Sequence, residues 1–338
     1  MPKIVIVTDT WSDSVNGVVT SLLQVQKYLM SKRFDVKVIH PGEFKTVPLP
    51  TYSEIKLSLL TRKQMEDILQ KERPDYIHIA TEGPLGLAAR MICVKNNWKF
   101  TSYYYTQWPE YIQIRTGTFK DLAYKYLRWF HNASQRTFVT TVSLEKTLKE
   151  NGFKHLTVLP LGVDTNLFKR NPNAAIPAGL KKPIFVYLGR LASEKNLEAF
   201  LRCDLPGRKL VIGDGPNRQS LERNFAGRAK FVGYKKGQEL VDLLSVCDVF
   251  VLPSRTETFC IAMLEALACG LPIAAFDEPG PRDIITQGTD GCVGDDLQNN
   301  AVKCLGLNPE NCREKALKYS SDSWSENLLA NLTPIRTS

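Results

Sequence analysis

Residues 254–272 have the sequence SRTETFCIAMLEALACGLP, follow the apolar run Asp248–Leu252 and lead into a second one, Pro272–Phe276. The segment Phe259–Cys269 contains no Gly or Pro and is rich in helix formers, which predicts the crossover helix of a parallel β-α-β unit. Glu257 then lies in the loop at the carboxyl end of a strand, where open α/β sheets bind ligands. Glu265 lies about two helical turns further on, within an otherwise apolar face, where a carboxylate is costly to bury without a partner.

Taken alone, the two glutamates allow two interpretations. They could be two acceptors spaced along a helix that begins at a polyhydroxylated ligand, since carboxylates accept hydrogen bonds from hydroxyls. They could equally be one charge near a helix N-terminus and one surface carboxylate.

The rest of the chain predicts parallel α/β layers, because short β-rich runs alternate with helical stretches throughout its 338 residues. That length suits two domains, and the pattern restarts at residue 183 after an aperiodic segment, Phe168–Lys182, expected to be a linker. We therefore predict an N-terminal Rossmann-like domain over 1–165 and a C-terminal one over 166–319. The tail 320–338 is expected to pack back on the first domain.

Composition excludes several classes of protein. No apolar run approaches the roughly 18–20 residues of a membrane span, and the N-terminus resembles a first strand more than a signal peptide. The eight cysteines form no Cys-x-x-Cys pair and are expected to be reduced thiols of a cytoplasmic protein. The net charge of +9 favours an anionic partner, which could be a sugar nucleotide, an acidic membrane surface or nucleic acid.

A second motif, Gly189-Arg190-Leu191-Ala192-Ser193-Glu194-Lys195, follows the apolar run that restarts the pattern. Backbone amides at a helix start, together with the cations Arg190 and Lys195, would form an anion site suited to a diphosphate. The alternative is an exposed basic turn capped by Ser193. Asp-x-Asp, a carboxylate pair that commonly binds a metal ion, does not occur in the sequence, so we expect neither a metal nor another cofactor.

The Glu-x7-Glu motif, followed by Ala-Leu-Ala-x-Gly-x-Pro, resembles the donor-sugar signature of the retaining nucleotide-sugar glycosyltransferases called group 1 or family 4. The resemblance implies the GT-B fold, in which two Rossmann-like domains face each other across a cleft. It also implies that Glu257 binds the donor sugar, that Glu265 binds the ribose, and that Arg190 and Lys195 offset the charge of the leaving diphosphate. Further donor contacts are expected at the positions Gly17, Gly189, Gly215, Val232, Phe259, Cys260 and Ile261.

The chain departs from the family pattern at two positions. Cys260 stands where the family has Gly, which lets the backbone approach the donor closely. Tyr105 stands where the branch that glycosylates diacylglycerol, the most similar one together with mannosyltransferases, has a donor-facing His. A phenol can hydrogen-bond a sugar hydroxyl but titrates near pH 10. The family mechanism, front-face attack with the leaving phosphate taking the acceptor's proton, does not require a His.

The resemblance implies a hexosyltransferase that uses a UDP-sugar or GDP-sugar, with a lipid or glycan acceptor at the inner face of a membrane. Helix 120–131 interleaves aromatic and basic residues, so it could lie on an anionic membrane or be a core helix with snorkelling cations. Two alternatives remain, a hydroxylated DNA base as acceptor and a non-catalytic sugar-nucleotide-binding homologue. No obligate protein partner is inferred.

Overall fold

The computed structural model describes residues 1–11, 16–49 and 52–336. The chain forms two compact units, Met1–Pro160 with Asp322–Ser338, and Leu161–Ser321. These divisions lie a few residues from the predicted ones at 165/166 and 319/320. The segment Phe168–Lys182, expected as a linker, belongs to the second unit, where Asn171 donates from its backbone N to Ser245 Oγ (2.8 Å) and from Nδ2 to Asp242 Oδ1 (2.7 Å).

The first unit consists of eight strands, seven α-helices and a short 3-10 helix in its described part. The elements are β1 Lys3–Val7, α1 Gly17–Ser31, β2 Asp35–Ile39, the 3-10 helix Pro41–Glu43, β3 Lys45–Leu49, β4 Tyr52–Leu59, α2 Arg62–Glu72, β5 Tyr76–Ile79, α3 Pro84–Lys95, β6 Thr101–Tyr104, α4 Trp108–Thr116, α5 Lys120–His131, β7 Arg136–Val139, α6 Val142–Glu150, β8 Leu156–Val158 and α14 Ser321–Asn331.

Six of these strands form a parallel sheet in the order β2-β1-β5-β6-β7-β8, and β3 pairs with β4 in a separate antiparallel hairpin. The central strand β1 is buried from Ile4 to Val7, as expected for a parallel sheet covered by helices on both faces. Helix α14 completes this unit from the far end of the chain, burying Trp324 and Leu328. Behind it, the backbone N of Ile335 donates to Asp75 O at 2.9 Å.

The second unit contains six strands and seven α-helices, again with one 3-10 helix. They are β9 Ile184–Leu188, the 3-10 helix Ser193–Lys195, α7 Leu197–Arg202, β10 Arg208–Ile212, α8 Arg218–Asn224, β11 Lys230–Phe231, α9 Gly237–Ser245, β12 Val249–Leu252, α10 Ile261–Ala268, β13 Ile273–Ala275, α11 Pro279–Ile284, β14 Gly291–Val293, α12 Leu297–Cys304 and α13 Pro309–Leu317.

The sheet of the second unit is parallel, with the order β11-β10-β9-β12-β13-β14. This is the doubly wound order of dinucleotide-binding folds, in which the chain starts at the centre, builds one half, and returns to build the other. All five residues of β9 are buried. The predicted α/β architecture is therefore confirmed, and each unit has its own parallel sheet.

Three features of the fold differ from the sequence prediction or were not anticipated. Helix α10 begins at Ile261 instead of Phe259, because Cys260 has a left-handed backbone with φ +74°. The β3–β4 hairpin and helix α4 were not predicted.

No helix in the described part of the chain is both long and apolar enough to cross a membrane.

Arg313 of α13 ties together three segments of the second unit. Its Nη1 donates to Phe168 O at 2.5 Å and Ala268 O at 3.0 Å, and its Nη2 donates to Thr165 O at 2.8 Å. Ala268 is the last residue of α10, so the guanidinium caps the helix that carries Glu265.

We expect Arg313→Ala to lower the free energy of unfolding by about 2–4 kcal/mol, because it leaves three carbonyl oxygens without a charged donor. Urea unfolding measures the change, with Arg223→Ala on the exposed side of α8 as the matched control. An effect no larger than that of the control would show that solvent replaces the guanidinium.

Candidate functional site

The candidate site of the second unit lies where its strand order reverses. Strands β9 and β12 are neighbours, yet their connections lead to opposite sides of the sheet. The loops 189–196 and 253–260 leave the carboxyl ends of these two strands and therefore lie side by side. This is the position at which open α/β sheets bind ligands.

Glycines allow the loops at this edge to approach one another closely. A Cβ on Gly213 would lie 1.9 Å from Gly189 O, and one on Gly215 would lie 2.5 Å from Leu191 O. Both glycines have positive φ, +138° and +158°. Leu191 N in turn donates to Asp214 O at 2.9 Å. The Gly213-Asp214-Gly215 turn therefore supports the loop that carries Arg190.

Lys195 and Glu257 form an ion pair between the two loops. Lys195 Nζ lies 2.8 Å from Glu257 Oε1, and the side chains are 20% and 8% exposed. At such low exposure an ion pair is screened less than one on the surface. The pair therefore fixes one cation and one carboxylate together at the carboxyl edge of the sheet.

Backbone carbonyls hold the same two loops in register. Ser254 Oγ and Thr256 Oγ1 both donate to Glu194 O, at 3.4 and 3.2 Å, and Asn196 Nδ2 donates to Pro253 O at 3.0 Å. On the opposite side of the loop, the buried Tyr187 donates its hydroxyl to Arg190 O at 2.8 Å. These contacts were not predicted, although Ser254, Thr256 and Asn196 stand beside the two motifs in the sequence.

Arg190 is partly buried, and desolvation lowers the pKa of its guanidinium while the nearby Glu194 raises it. An arginine remains charged under any such shift. The loop that carries Lys195 therefore also carries a fixed positive charge at Arg190.

The turn into α10 has a strained backbone at Cys260. A left-handed conformation costs a non-glycine residue roughly 1–2 kcal/mol. Burial raises the pKa of the Cys260 thiol, and the nearby Glu257 adds to this effect. Phe259, which precedes it, is buried, and Ile261 begins the helix. Strain of this kind is found where a site requires a particular backbone path.

Glu265 lies about one turn into α10, on its partly accessible side. Its apolar surroundings raise the pKa of the carboxyl from 4.5 to about 7. Within the described residues, no hydrogen bond or ion pair engages this carboxylate. A desolvated carboxylate without a partner is a typical sign of a ligand-binding site. Tyr234, near 47% exposed and close enough to sense the Glu265 charge, follows the Val232-Gly233 loop at the end of β11.

In the first unit, Gly17 begins helix α1. The side chain of Asn16 caps this helix by accepting from Val19 N at 3.0 Å, and its Nδ2 donates to Thr10 Oγ1 at 3.0 Å. The helix N-terminus is therefore formed as predicted from Asn16-Gly17. The intervening positions 12–15 of the expected glycine loop lie outside the described residues.

Tyr105 follows strand β6 and is 7% exposed. Its ring stacks on that of Tyr103 with centroids 4.0 Å apart and planes at 7°. Burial raises the pKa of the Tyr105 hydroxyl, and the nearby Glu82 raises it further. The phenol is thus neutral at physiological pH, which agrees with a role that does not involve proton abstraction.

A buried polar cluster at the carboxyl ends of β1 and β5 was not predicted. Asp9 accepts from Leu85 N (2.7 Å) and Thr81 Oγ1 (2.8 Å), so it caps helix α3. Glu82 Oε1 lies 3.1 Å from Nε2 of the fully buried His131. Asp9 and Glu82 follow the carboxyl ends of β1 and β5, which are neighbours in the sheet. The rule used to predict Glu257, that ligands bind beyond the carboxyl ends of strands, would have predicted these two acids as well.

Both units match known families. The family model described as Glycosyltransferase Family 4 matches residues 15–167, and the one described as Glycosyl transferases group 1 matches residues 169–303. The two models together match most of the chain, and the polar site of the second unit lies where doubly wound sheets bind nucleotides. The chain belongs to the group 1 glycosyltransferases and is a hexosyltransferase of that family.

Similar proteins include a GDP-mannose-dependent alpha-mannosyltransferase of Corynebacterium glutamicum, 28% identical over 87% of this chain and 76% of the relative. The sulfoquinovosyl transferase SQD2 of Arabidopsis thaliana is 31% identical over 74% of this chain, which spans about half (52%) of that relative. The alpha-monoglucosyldiacylglycerol synthase of Acholeplasma laidlawii is 24% identical over 83% of this chain and 84% of the relative.

Solved structures show the same fold. Sucrose-phosphate synthase from Thermosynechococcus elongatus superimposes with a TM-score of 0.79, covering 98% of both chains at 16% identity. Anabaena HepE, solved with UDP and glucose, gives a TM-score of 0.70 at 13% identity over 98% of this chain and 99% of that one. The likeness confirms the predicted GT-B fold.

The raised pKa of Glu265 predicts a pH-dependent gain in stability for Glu265→Gln. The folded chain binds this proton more tightly than the unfolded chain, so the carboxyl adds little penalty below pH 4.5, and the penalty grows until the pH passes 7. Allowing for the partial exposure of the side chain, we expect the variant to gain about 1–3 kcal/mol at pH 8 and less than about 1 kcal/mol at pH 5.

Urea unfolding at the two pH values measures the difference, with Glu314→Gln, an exposed residue of α13, as the control. Equal gains at pH 5 and pH 8 would mean that the Glu265 carboxyl titrates in the ordinary range.

Proposed function

We propose that this chain transfers a hexose from a nucleotide diphosphate sugar to a hydroxyl group of a lipid or glycan, with retention of configuration and without a metal ion. The donor is a GDP-sugar or UDP-sugar, and GDP-mannose is the first to test, because several relatives are named GDP-mannose-dependent. The alternative acceptor is a hydroxylated base in DNA, which the charge of +9 would favour electrostatically.

The observation that carries the proposal is the contact between Lys195 and Glu257 at the switch point, with Glu265 in α10, the helix that follows the Glu257 loop. A nucleotide sugar presents a diphosphate, a hexose and a ribose, which require a cation and two acceptors respectively. An ammonium carries three N–H donors, so Lys195 can hold Glu257 and a phosphate oxygen together. Glu257 can accept from the sugar hydroxyls, and the Glu265 carboxylate can accept from the ribose.

In the proposed reaction, the bond between the anomeric carbon and the diphosphate oxygen breaks as the acceptor oxygen approaches from the same face. The acceptor proton passes to the leaving phosphate oxygen. Arg190 and Lys195 stabilise the charge that develops on the diphosphate, a role that a metal ion fills in other transferases. Tyr105 takes no proton in this reaction, since burial holds its hydroxyl neutral.

The acceptor proposal draws on the relatives named sulfoquinovosyl transferase and monoglucosyldiacylglycerol synthase. On the chain itself, Trp108 and Tyr111 of α4 lie edge to face with centroids 6.0 Å apart. Aromatic faces of this kind suit a sugar ring or a lipid headgroup, and they suit a nucleobase nearly as well.

The first test measures release of nucleoside diphosphate from GDP-mannose, UDP-glucose and ADP-glucose, with lipid extract and with hydroxymethylated DNA as acceptors. We expect turnover that a chelator leaves unchanged and that added Mg²⁺ or Mn²⁺ does not increase. Lys195→Met should lose roughly 10²–10³ in turnover, as for removal of a group that stabilises transition-state charge. Lys303→Met, an exposed lysine of α12, serves as the control. Turnover that a chelator abolishes and Mn²⁺ restores would overturn the metal-independent mechanism, and transfer to DNA alone would replace the lipid or glycan acceptor.

The two glutamates should differ in their effects. Glu265→Ala is expected to weaken binding of the free nucleoside diphosphate, because the ribose loses its acceptor, while Glu257→Ala chiefly lowers turnover. Each lost hydrogen bond to a charged acceptor should cost about 1.5–3 kcal/mol. Calorimetric titration with the nucleoside diphosphate separates binding from turnover. Equal losses of affinity in both variants would contradict the assignment.

A further inference from the structure

Helix α5 carries a row of large apolar side chains that the fold leaves in solvent. Phe119, Leu122, Tyr126 and Trp129 are 63%, 62%, 36% and 47% exposed, and we call these four residues the apolar stripe. Their spacing of three, four and three residues places them along one side of the helix. The opposite side of the same helix is buried through Tyr124, Leu127, Phe130 and His131.

The neighbouring helix also leaves an apolar side chain in solvent. Ile114 of α4 is 50% exposed, and α4 and α5 form a hairpin held by Glu110, whose Oε1 accepts from Tyr124 Oη at 2.7 Å and lies 3.3 Å from Lys120 Nζ. At the tip of this hairpin, Phe119 has a left-handed backbone with φ +70°. A bulky residue in that conformation is strained, so a strained backbone presents the most exposed phenylalanine of the hairpin to solvent.

Both rings at the other end of the stripe are held in place. The Tyr126 hydroxyl donates to Glu82 O at 2.5 Å, and the guanidinium of Arg90 stacks 3.5 Å from the centre of the Trp129 ring. Arg90 also donates to Trp129 O at 2.7 Å. Rings fixed in this way lose little rotational freedom when they bind a partner.

Charge beside the stripe selects the kind of partner. Lys125 lies on the exposed side of α5, one turn before Trp129, whereas Lys120 at the start of the helix is paired with Glu110. Trp and Tyr are the side chains that favour the boundary between lipid headgroups and acyl chains, and lysines beside them attract anionic lipid. We infer that the apolar stripe with Lys125 is a docking surface for an anionic lipid bilayer.

The size of the patch distinguishes a bilayer from a second copy of this chain. The four side chains of the apolar stripe and that of Ile114 leave on the order of 500 Å² of apolar surface in solvent, taking about 150–250 Å² for a large side chain. A stable protein interface buries about 800 Å² on each partner. Insertion of a few apolar side chains at the headgroup boundary needs no such area, so the bilayer is the better-matched partner.

The inference rests on the proposed function in one respect, the lipid nature of the acceptor. Such an acceptor would lie in the bilayer on which α5 docks. The binding surface itself depends neither on the donor nor on the transfer reaction, so the two can be tested apart.

The experiment is co-sedimentation with vesicles of phosphatidylcholine mixed with phosphatidylglycerol, compared with vesicles of phosphatidylcholine alone. We expect the wild type to sediment with the anionic vesicles, and salt to weaken this. The double variant Phe119→Ser/Leu122→Ser should bind at least roughly tenfold more weakly, because each substitution removes several buried carbons. Lys125→Glu should reduce binding to the anionic vesicles.

The matched control is Val142→Ser/Leu317→Ser, which removes two other apolar side chains of similar exposure, 64% and 51%, and should leave vesicle binding unchanged. Thermal melting and the thermal shift with a sugar nucleotide verify that both double variants are folded. Unchanged sedimentation of the stripe variant, or no vesicle binding by the wild type, would overturn the inference. So would self-association of the wild type that the stripe variant loses without any vesicle binding.

Failure of the proposed function gives a different result. Stripe-dependent vesicle binding without transfer to any lipid would refute the lipid acceptor and keep the docking surface. Transfer to lipid dispersed in detergent, together with equal sedimentation of the wild type and the stripe variant, would keep the acceptor and refute the surface.

Discussion

Two strands that run parallel can only be joined by a crossover of a dozen or more residues, because the chain must return to the edge at which it began. In each unit, every strand of the main sheet runs parallel to its neighbours, so all strands of that sheet end at the same edge of it. Where the order reverses, between β9 and β12, two crossovers leave in opposite directions and their loops come together. The Lys195–Glu257 pair bridges these loops, and Gly213 and Gly215 provide the room for the loop that carries Lys195. The site is therefore a consequence of the sheet's connectivity.

Two groups at this edge of the second unit's sheet destabilise the folded chain. Cys260 has a backbone conformation suited to glycine, and Glu265 holds a carboxyl in surroundings that raise its pKa to about 7. In the core of the unit, by contrast, residue type and burial agree, as in the five buried residues of β9. Local conflict within a consistent fold is expected where a sequence serves binding as well as stability. In the proposed function, a nucleotide would give Glu265 the hydrogen-bond partner that the described residues do not provide.

Strand positions and the polar residues that follow them could be predicted from the sequence. Apolar runs bounded by Gly and Pro located β9 and β12, and the rule that ligands bind beyond strand ends located Glu257. Pairings between distant segments could not be predicted. Nothing in the spacing indicated that Ser254 and Thr256 would donate to Glu194 O, or that Tyr187 would donate to Arg190 O, because such bonds depend on loop paths. The left-handed backbone of Cys260 was not predicted, although the glycine that the family has at this position could have indicated it. Helix α5 had two interpretations until the exposure of each residue was known.

The return of α14 to the first unit affects how the protein folds during its synthesis on the ribosome. A nascent chain emerges from its N-terminus, and domains usually fold in the order in which they are made. Here the first unit lacks Trp324 and Leu328, which its sheet buries, until the whole of the second unit has been translated. At ordinary rates of synthesis that delay is about ten to thirty seconds. During that delay, the apolar surface that α14 covers in the finished protein remains exposed to solvent. The first unit is therefore the first to be synthesised and the last to be completed. A chaperone that shields this surface would act within that interval.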